Sequence, residues 1–172
     1  MGNNKELLQR KSTRLKCFDY GTTGAYFITI CTGNRRTILS KIVGDGVLDV
    51  PHNVELLPCG IIADKYINQM DGFYDDISVD QYIIMPNHIH IILIVSENGS
   101  SGTPTPTSQN STVSRFVSNF KRYCNKEIGQ NIWQRGFYDH VVRNRKDYEQ
   151  IKKYIYENPS KWFYDELYID EK

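Results

Sequence analysis

Apolar and polar positions along this chain switch period repeatedly, and each switch marks an element. Ala25 to Thr32 (AYFITICT) is β-branched and aromatic between glycines, which predicts a first strand. Residues 44–58 are rich in Gly, Asp, Pro and Asn and are expected to form an extended loop or a short hairpin. Ile61, Ile62, Tyr66, Ile67 and Met70 then recur at helical spacing, closed by Gly72. Ile77 to Met85 and His88 to Val95, broken by Pro86-Asn87, predict an antiparallel hairpin, because proline cannot donate to a ladder and belongs at its turn. Residues 96–111 are nearly devoid of apolar side chains and are expected to be a flexible loop. Val113 to Ile128 places Val113, Phe116, Val117, Phe120 and Tyr123 or Cys124 on one side of a basic helix that Gly129 ends. Ile132 to Arg143 reads as a strand or strand pair, and Lys146 to Asn158 as a last helix stopped at Pro159. The order β-α-β-β-α-β-α predicts an α+β fold, a ferredoxin-like split βαβ antiparallel sheet with helices on its faces.

Length refines this picture to one domain over residues 1–172, and hence one site to look for. Net charge is +1, which hides a strong asymmetry. Residues 1–16 carry five basic groups against one acid, residues 37–114 two against nine, and residues 115–153 ten against four. The last excess is what a phosphate-binding face needs, although a solvated helix face would look the same. Cys17, Cys31, Cys59 and Cys124 form no CxxC pair, which argues against a zinc knuckle or redox motif and for a reduced, cytoplasmic protein. The run Ile89 to Val95 is too short to span a bilayer, so no membrane role is expected.

The sharpest candidate chemistry lies in Met85-Pro86-Asn87-His88-Ile89-His90. Residues two apart in a strand project from one face, so His88 and His90 stand side by side, with Ile92 and Ile94 continuing below them. Ile89, Ile91, Leu93 and Val95 point the other way, which implies a strand buried on both faces. A shared metal ion would suit such a pair. Two satisfied core histidines are the alternative.

Two imidazoles leave an ion short of ligands, and the last helix can supply more. At about 100° per residue from Tyr148, Ile151 and Ile155 fall at about 300° and 340°, Tyr154 at about 240° and Asn158 at about 280°. Tyr154 and Asn158 are thus an i, i+4 pair beside the buried stripe, while Tyr156 points away. Tyr154 is a candidate nucleophile and Asn158 a candidate oxygen ligand; a core aromatic and a helix cap before Pro159 would explain them equally without chemistry.

The combination PNHIH, then WQRGFYDHVVR, then YIYENP with tyrosine four residues before asparagine, resembles the single-tyrosine HUH transposases that act on single-stranded DNA, and within them the REP-associated branch. The resemblance runs from the first strand to Pro159. It implies that His88, His90 and Asn158 bind a divalent ion, Mg²⁺ or Mn²⁺, and that Tyr154 attacks a DNA phosphate to leave a 5′-phosphotyrosine and a free 3′-hydroxyl. It further implies single-stranded DNA bearing a hairpin as partner. Both monomers and swapped dimers are compatible with it, so the site is open to assembly in cis or in trans. The acidic middle of the chain and the loop at 96–111 have no counterpart in the motifs.

Other residues carry two readings each. Arg14, Lys16, Arg35, Arg36, Arg115, Lys121, Arg122, Arg135 and Arg143 are candidate DNA contacts or ordinary solvated charges. Trp133, Phe137 and Tyr138 could stack on an unpaired base, with core packing the favoured reading. His140 either assists the site or bonds to Asp139 or the backbone. Beside the strand transferase stand two other functions: a domesticated DNA-hairpin-binding module that does not cut, and a metal-dependent hydrolase that uses water and would survive loss of Tyr154.

Overall fold

A computed structural model describes residues 23–43, 53–96 and 112–169. Arg14, Lys16 and nearly all of the predicted loop at 96–111 lie outside them. Four strands form one antiparallel sheet: β1 (Gly24–Cys31), β4 (Ile77–Ile84), β5 (His88–Val95) and β6 (Tyr138–Val142), in the order β4-β5-β1-β6. A small hairpin, β2 (Ser40–Val43) with β3 (Asn53–Leu56), is inserted before the first helix. Helices α1 (Pro58–Asp71), α2 (Thr112–Ile128) and α3 (Arg145–Glu157) complete the predicted order around that insertion. The antiparallel sheet with helices on both faces is the α+β arrangement expected from the chain.

The central strand β5 decides how the layers divide. Ile89, Ile91, Leu93 and Val95 join Tyr26, Ile28 and Ile30 of β1 in a core closed by Ile67 and Met70 of α1 and by Phe116 and Phe120 of α2. On the opposite face Ile92 packs with Ile151 and Ile155 of α3. Burying each of those two isoleucines stabilises the α3 contact by on the order of 2 kcal/mol. At the N-terminus of α3 the Asn144 side chain accepts from the Asp147 amide at 2.9 Å, a standard capping arrangement. A bulge between Val79 and Gln81 interrupts the β4 ladder, and Asp80 within it meets α3 by accepting from Tyr148 Oη at 2.7 Å.

Two local expectations change. Helix α1 begins at Pro58, three residues earlier than its apolar stripe suggests, because proline suits the first helical position. Its third residue, Gly60, is required by packing, since a Cβ there would lie 1.9 Å from the Leu39 carbonyl oxygen. The segment 132–143 is strand only over Tyr138–Val142; before it, Trp133 makes a single bridge to Thr32, flanked by the bonds Gly33 N to Ile132 O and Gln134 N to Cys31 O. Helix α3 ends before Pro159 as expected, and the chain continues through a 3-10 helix, Pro159–Tyr164, to lie against the turn that bears His88. Among the described residues no helix is long and apolar enough to cross a membrane.

Candidate active site

His88 and His90 sit at the start of β5 on the α3 face, 0 % and 3 % exposed. The two-residue turn Pro86-Asn87, closed by Met85 N donating to His88 O at 2.9 Å, presents them. His88 Nδ1 lies 2.8 Å from Asn87 Oδ1, an acceptor, so the proton resides on Nδ1 and the Nε2 lone pair faces into the site. His90 Nδ1 lies 2.9 Å from Thr29 Oγ1, directly across the sheet. The two Nε2 atoms are 3.0 Å apart, and Phe27 stacks on the His90 ring. Burial lowers both imidazoles to about 3, helped at His88 by the Arg35 charge and at His90 by His88, against the opposing pull of Asp165. Both are therefore neutral at physiological pH, the form in which an imidazole can donate a lone pair to a metal.

Helix α3 delivers Tyr154 and Asn158 to the same point. Tyr154, 43 % exposed, brings its hydroxyl to 3.3 Å from His90 Nε2 and 3.3 Å from Asp165 Oδ2. Asn158, 3 % exposed, donates through Nδ2 to Asp165 Oδ2 at 3.1 Å. Its Oδ1 is buried with no hydrogen-bond partner among the described residues. That orphaned acceptor does not cap the helix that follows. Partial burial, then the Asp165 carboxylate, push the Tyr154 phenol up to about 12. A cluster with two imidazole lone pairs, a carboxylate, an orphaned amide oxygen and a phenol that resists ionisation has the donor set for a divalent cation.

Asp165 was not foreseen. It lies beyond Pro159 in an acidic tail, and the 3-10 turn carries its carboxylate to within 4.8 Å of the histidine nitrogens. The sequence held one indirect signal, the aromatic run after the last helix: Trp162 packs against His88 and Tyr168 against Trp162, which pins the tail to the site. Leu167 O accepts from Asn87 Nδ2 at 2.7 Å and adds a second fastening.

A cavity of about 610 Å³ opens beside this cluster, lined by Phe27, Thr29, Arg35, Tyr138, Lys161 and the tail among others. Of the candidate DNA contacts, Arg35 reaches it. Arg36, Arg135 and Arg143 are exposed elsewhere. Arg115 pairs with Asp76 at 3.0 Å, and Arg122 lies over the Tyr123 ring. At two candidates the packing bears on the readings left open. Trp133 is buried against Phe120, so its ring is not offered to a base. Lys121 is held inward, Nζ donating to Gln134 O at 2.8 Å and Gly136 O at 2.6 Å, and desolvation lowers it to about 8. His140 pairs with Asp147 at 2.9 Å.

Compared with known proteins, residues 62–158 match the family model described as Transposase IS200 like, a little over half of the chain. The chain belongs to the IS200-like transposases. It is also 32% identical to an uncharacterized protein of Haemophilus influenzae over 97% of both chains. A REP-associated tyrosine transposase of Escherichia coli is 30% identical, covering 80% of this chain and 67% of that one. The fold matches that of a REP-associated tyrosine transposase solved bound to a REP hairpin, with a TM-score of 0.60, 22% identity, and 88% and 76% of the two chains covered. Membership of this transposase family makes the chain a DNA-processing protein with the HUH fold.

Proposed function

We propose that this transposase nicks and rejoins single-stranded DNA through a covalent tyrosyl intermediate at Tyr154, on strands that carry a hairpin. The observation that carries the reading is the approach of the Tyr154 hydroxyl to 3.3 Å from His90 Nε2, beside the orphaned Asn158 Oδ1. His88, His90 and Asn158 would hold a divalent ion, Mg²⁺ or Mn²⁺, with Asp165 positioned to share in holding it. Such an ion supplies charge neutralisation at the scissile phosphate and favours the phenolate.

The chain's own groups do the rest. The Tyr154 oxygen forms the new bond to phosphorus, the 3′ oxygen leaves with its bonding pair and takes up a proton, and the phenol's proton has the Asp165 carboxylate as the acceptor it already faces. The tyrosyl phosphodiester conserves the energy of the broken bond. Attack by a 3′-hydroxyl on it rejoins strands without ATP. The neutral imidazoles, Asn87 behind one and Thr29 behind the other, fix the ligand geometry before substrate arrives. The hairpin partner is inferred from the structural relative, which was solved bound to a REP hairpin. The reading places the reaction within one domain.

Hairpin oligonucleotides labelled at either end, incubated with Mn²⁺ and resolved on denaturing gels, test the reading. A metal-dependent adduct that carries only the label 3′ to the cut and vanishes in Tyr154→Phe is expected. Cleavage that persists in the variant would establish a hydrolase, and binding without cleavage a hairpin-binding module.

A further inference from the structure

The turn after β1 has an unusual backbone. Asn34 and Arg35 both adopt left-handed conformations, with φ of 56° and 54°. Asparagine tolerates this region, but for arginine it is uncommon, and two such residues in succession persist only where the surroundings enforce them. The enforcement is visible. Thr32, fully buried, donates through Oγ1 to Arg36 O at 2.8 Å and to Asn87 O at 3.1 Å, while its amide donates to Asn87 O at 2.9 Å. Gly33 N is held on Ile132 O at 2.7 Å, and Arg35 N on Thr32 O at 3.1 Å. The turn is therefore bolted to Asn87, the residue that orients His88.

Arg35 thus shares a rigid frame with the histidine pair. Its side chain lines the cavity beside His90 and Tyr154, and its charge is felt at His88. Among the described residues its guanidinium makes one hydrogen bond, to Glu166 O at 3.3 Å, and meets no carboxylate. The other cation of the cavity, Lys161, is already paired with Glu157 at 2.7 Å. The remaining charged groups there, Asp165 and Glu166, are acidic. Among the described residues that line the cavity, Arg35 is the cation left without a carboxylate partner to receive a DNA phosphate.

We propose that Arg35 grips the scissile phosphate, donating two guanidinium nitrogens to its non-bridging oxygens and holding phosphorus in line with Tyr154 Oη. This rests on the strand-transfer reading above. The planar fork of arginine matches two phosphate oxygens, and a donor fixed before the reaction stabilises the charge that builds on them. The strained turn is then the means by which the fork is aimed.

The test compares wild type with Arg35→Ala, Arg35→Lys and Arg35→Gly in adduct formation on a hairpin oligonucleotide. We expect a fall of about 100-fold or more for alanine and glycine, a smaller fall for lysine, and no fall in melting temperature for glycine, which suits the left-handed turn. A second readout does not depend on turnover. In metal-free buffer, where no ion can meet the linkage, replacing it by an uncharged methylphosphonate should weaken binding to Tyr154→Phe but add nothing to the loss in a Tyr154→Phe, Arg35→Ala double variant. Adduct formation in Arg35→Ala within about threefold of wild type, or a full methylphosphonate effect in the double variant, would overturn the assignment while leaving the tyrosine reading intact. Absence of any Tyr154-dependent adduct from wild type would overturn both.

Discussion

The two faces of the sheet solve opposite problems with the same strand. Toward α1 and α2, β5 presents Ile89, Ile91, Leu93 and Val95 to a closed apolar layer in which Phe116 and Phe120 are fully buried. Toward α3 it presents His88 and His90 and only then Ile92, and the layer opens into a cavity. One face gains stability from area removed from water. The other accepts two buried neutral imidazoles, an orphaned amide oxygen and an exposed phenol, arrangements that lose stability unless a ligand compensates them. The contrast teaches where this fold has room for a site: on the thinner side, backed by the thicker one.

Variants should separate the two faces. The largest effect is expected for Tyr154→Phe or His90→Ala, which should remove covalent adduct altogether while far-ultraviolet circular dichroism stays native. Phe120→Ala should do the reverse, costing about 3–5 kcal/mol in denaturant unfolding with Mn²⁺ affinity of the remaining folded protein preserved. Asn158→Ala should weaken Mn²⁺ binding by about 10 to 100-fold in calorimetry, an outcome absent if the amide merely ends the helix. Acid should act through the histidine face. Both imidazoles titrate near 3 in the folded protein against an ordinary 6.5, so below about 6.5 the unfolded chain binds more protons and stability falls as pH drops toward about 3. Melting curves of metal-free protein from pH 7 to 4.5 should show this, and a His88→Gln, His90→Gln pair should flatten it. Smallest of all, Lys121→Met should loosen the segment around Gln134 and Gly136 toward proteolysis, with a shift of a few degrees in melting temperature.

Much of this division was legible in the sequence because it depends on period. Alternation along β5 assigned each side chain to its face, and the helical wheel set Tyr154 and Asn158 beside Ile151 and Ile155, as the described contacts place them. What was not legible depends on meeting across the chain. Trp133 keeps a stacking reading beside the favoured core one until Phe120 is found against it, and Lys121 stays open between phosphate contact and solvated charge until two carbonyls are found around its ammonium group. Asp165 was missed for the same reason, since the aromatic run beside it hints only that the tail packs and not that a 3-10 turn swings its carboxylate back to residues far earlier in the chain. The left-handed pair at Asn34 and Arg35 likewise carries no glycine to announce it.

Tyr154 reaches His90 within one polypeptide, from a helix packed on the strand that bears the histidines. Under the tyrosyl reading this makes custody of a cut end a private matter. A single chain can hold one 5′ end, and with one nucleophile it cannot take a second until the first is discharged. Joining two distant ends then requires either two loaded molecules meeting or one molecule visiting the cuts in turn. Traffic in strands would be governed by the order of arrival.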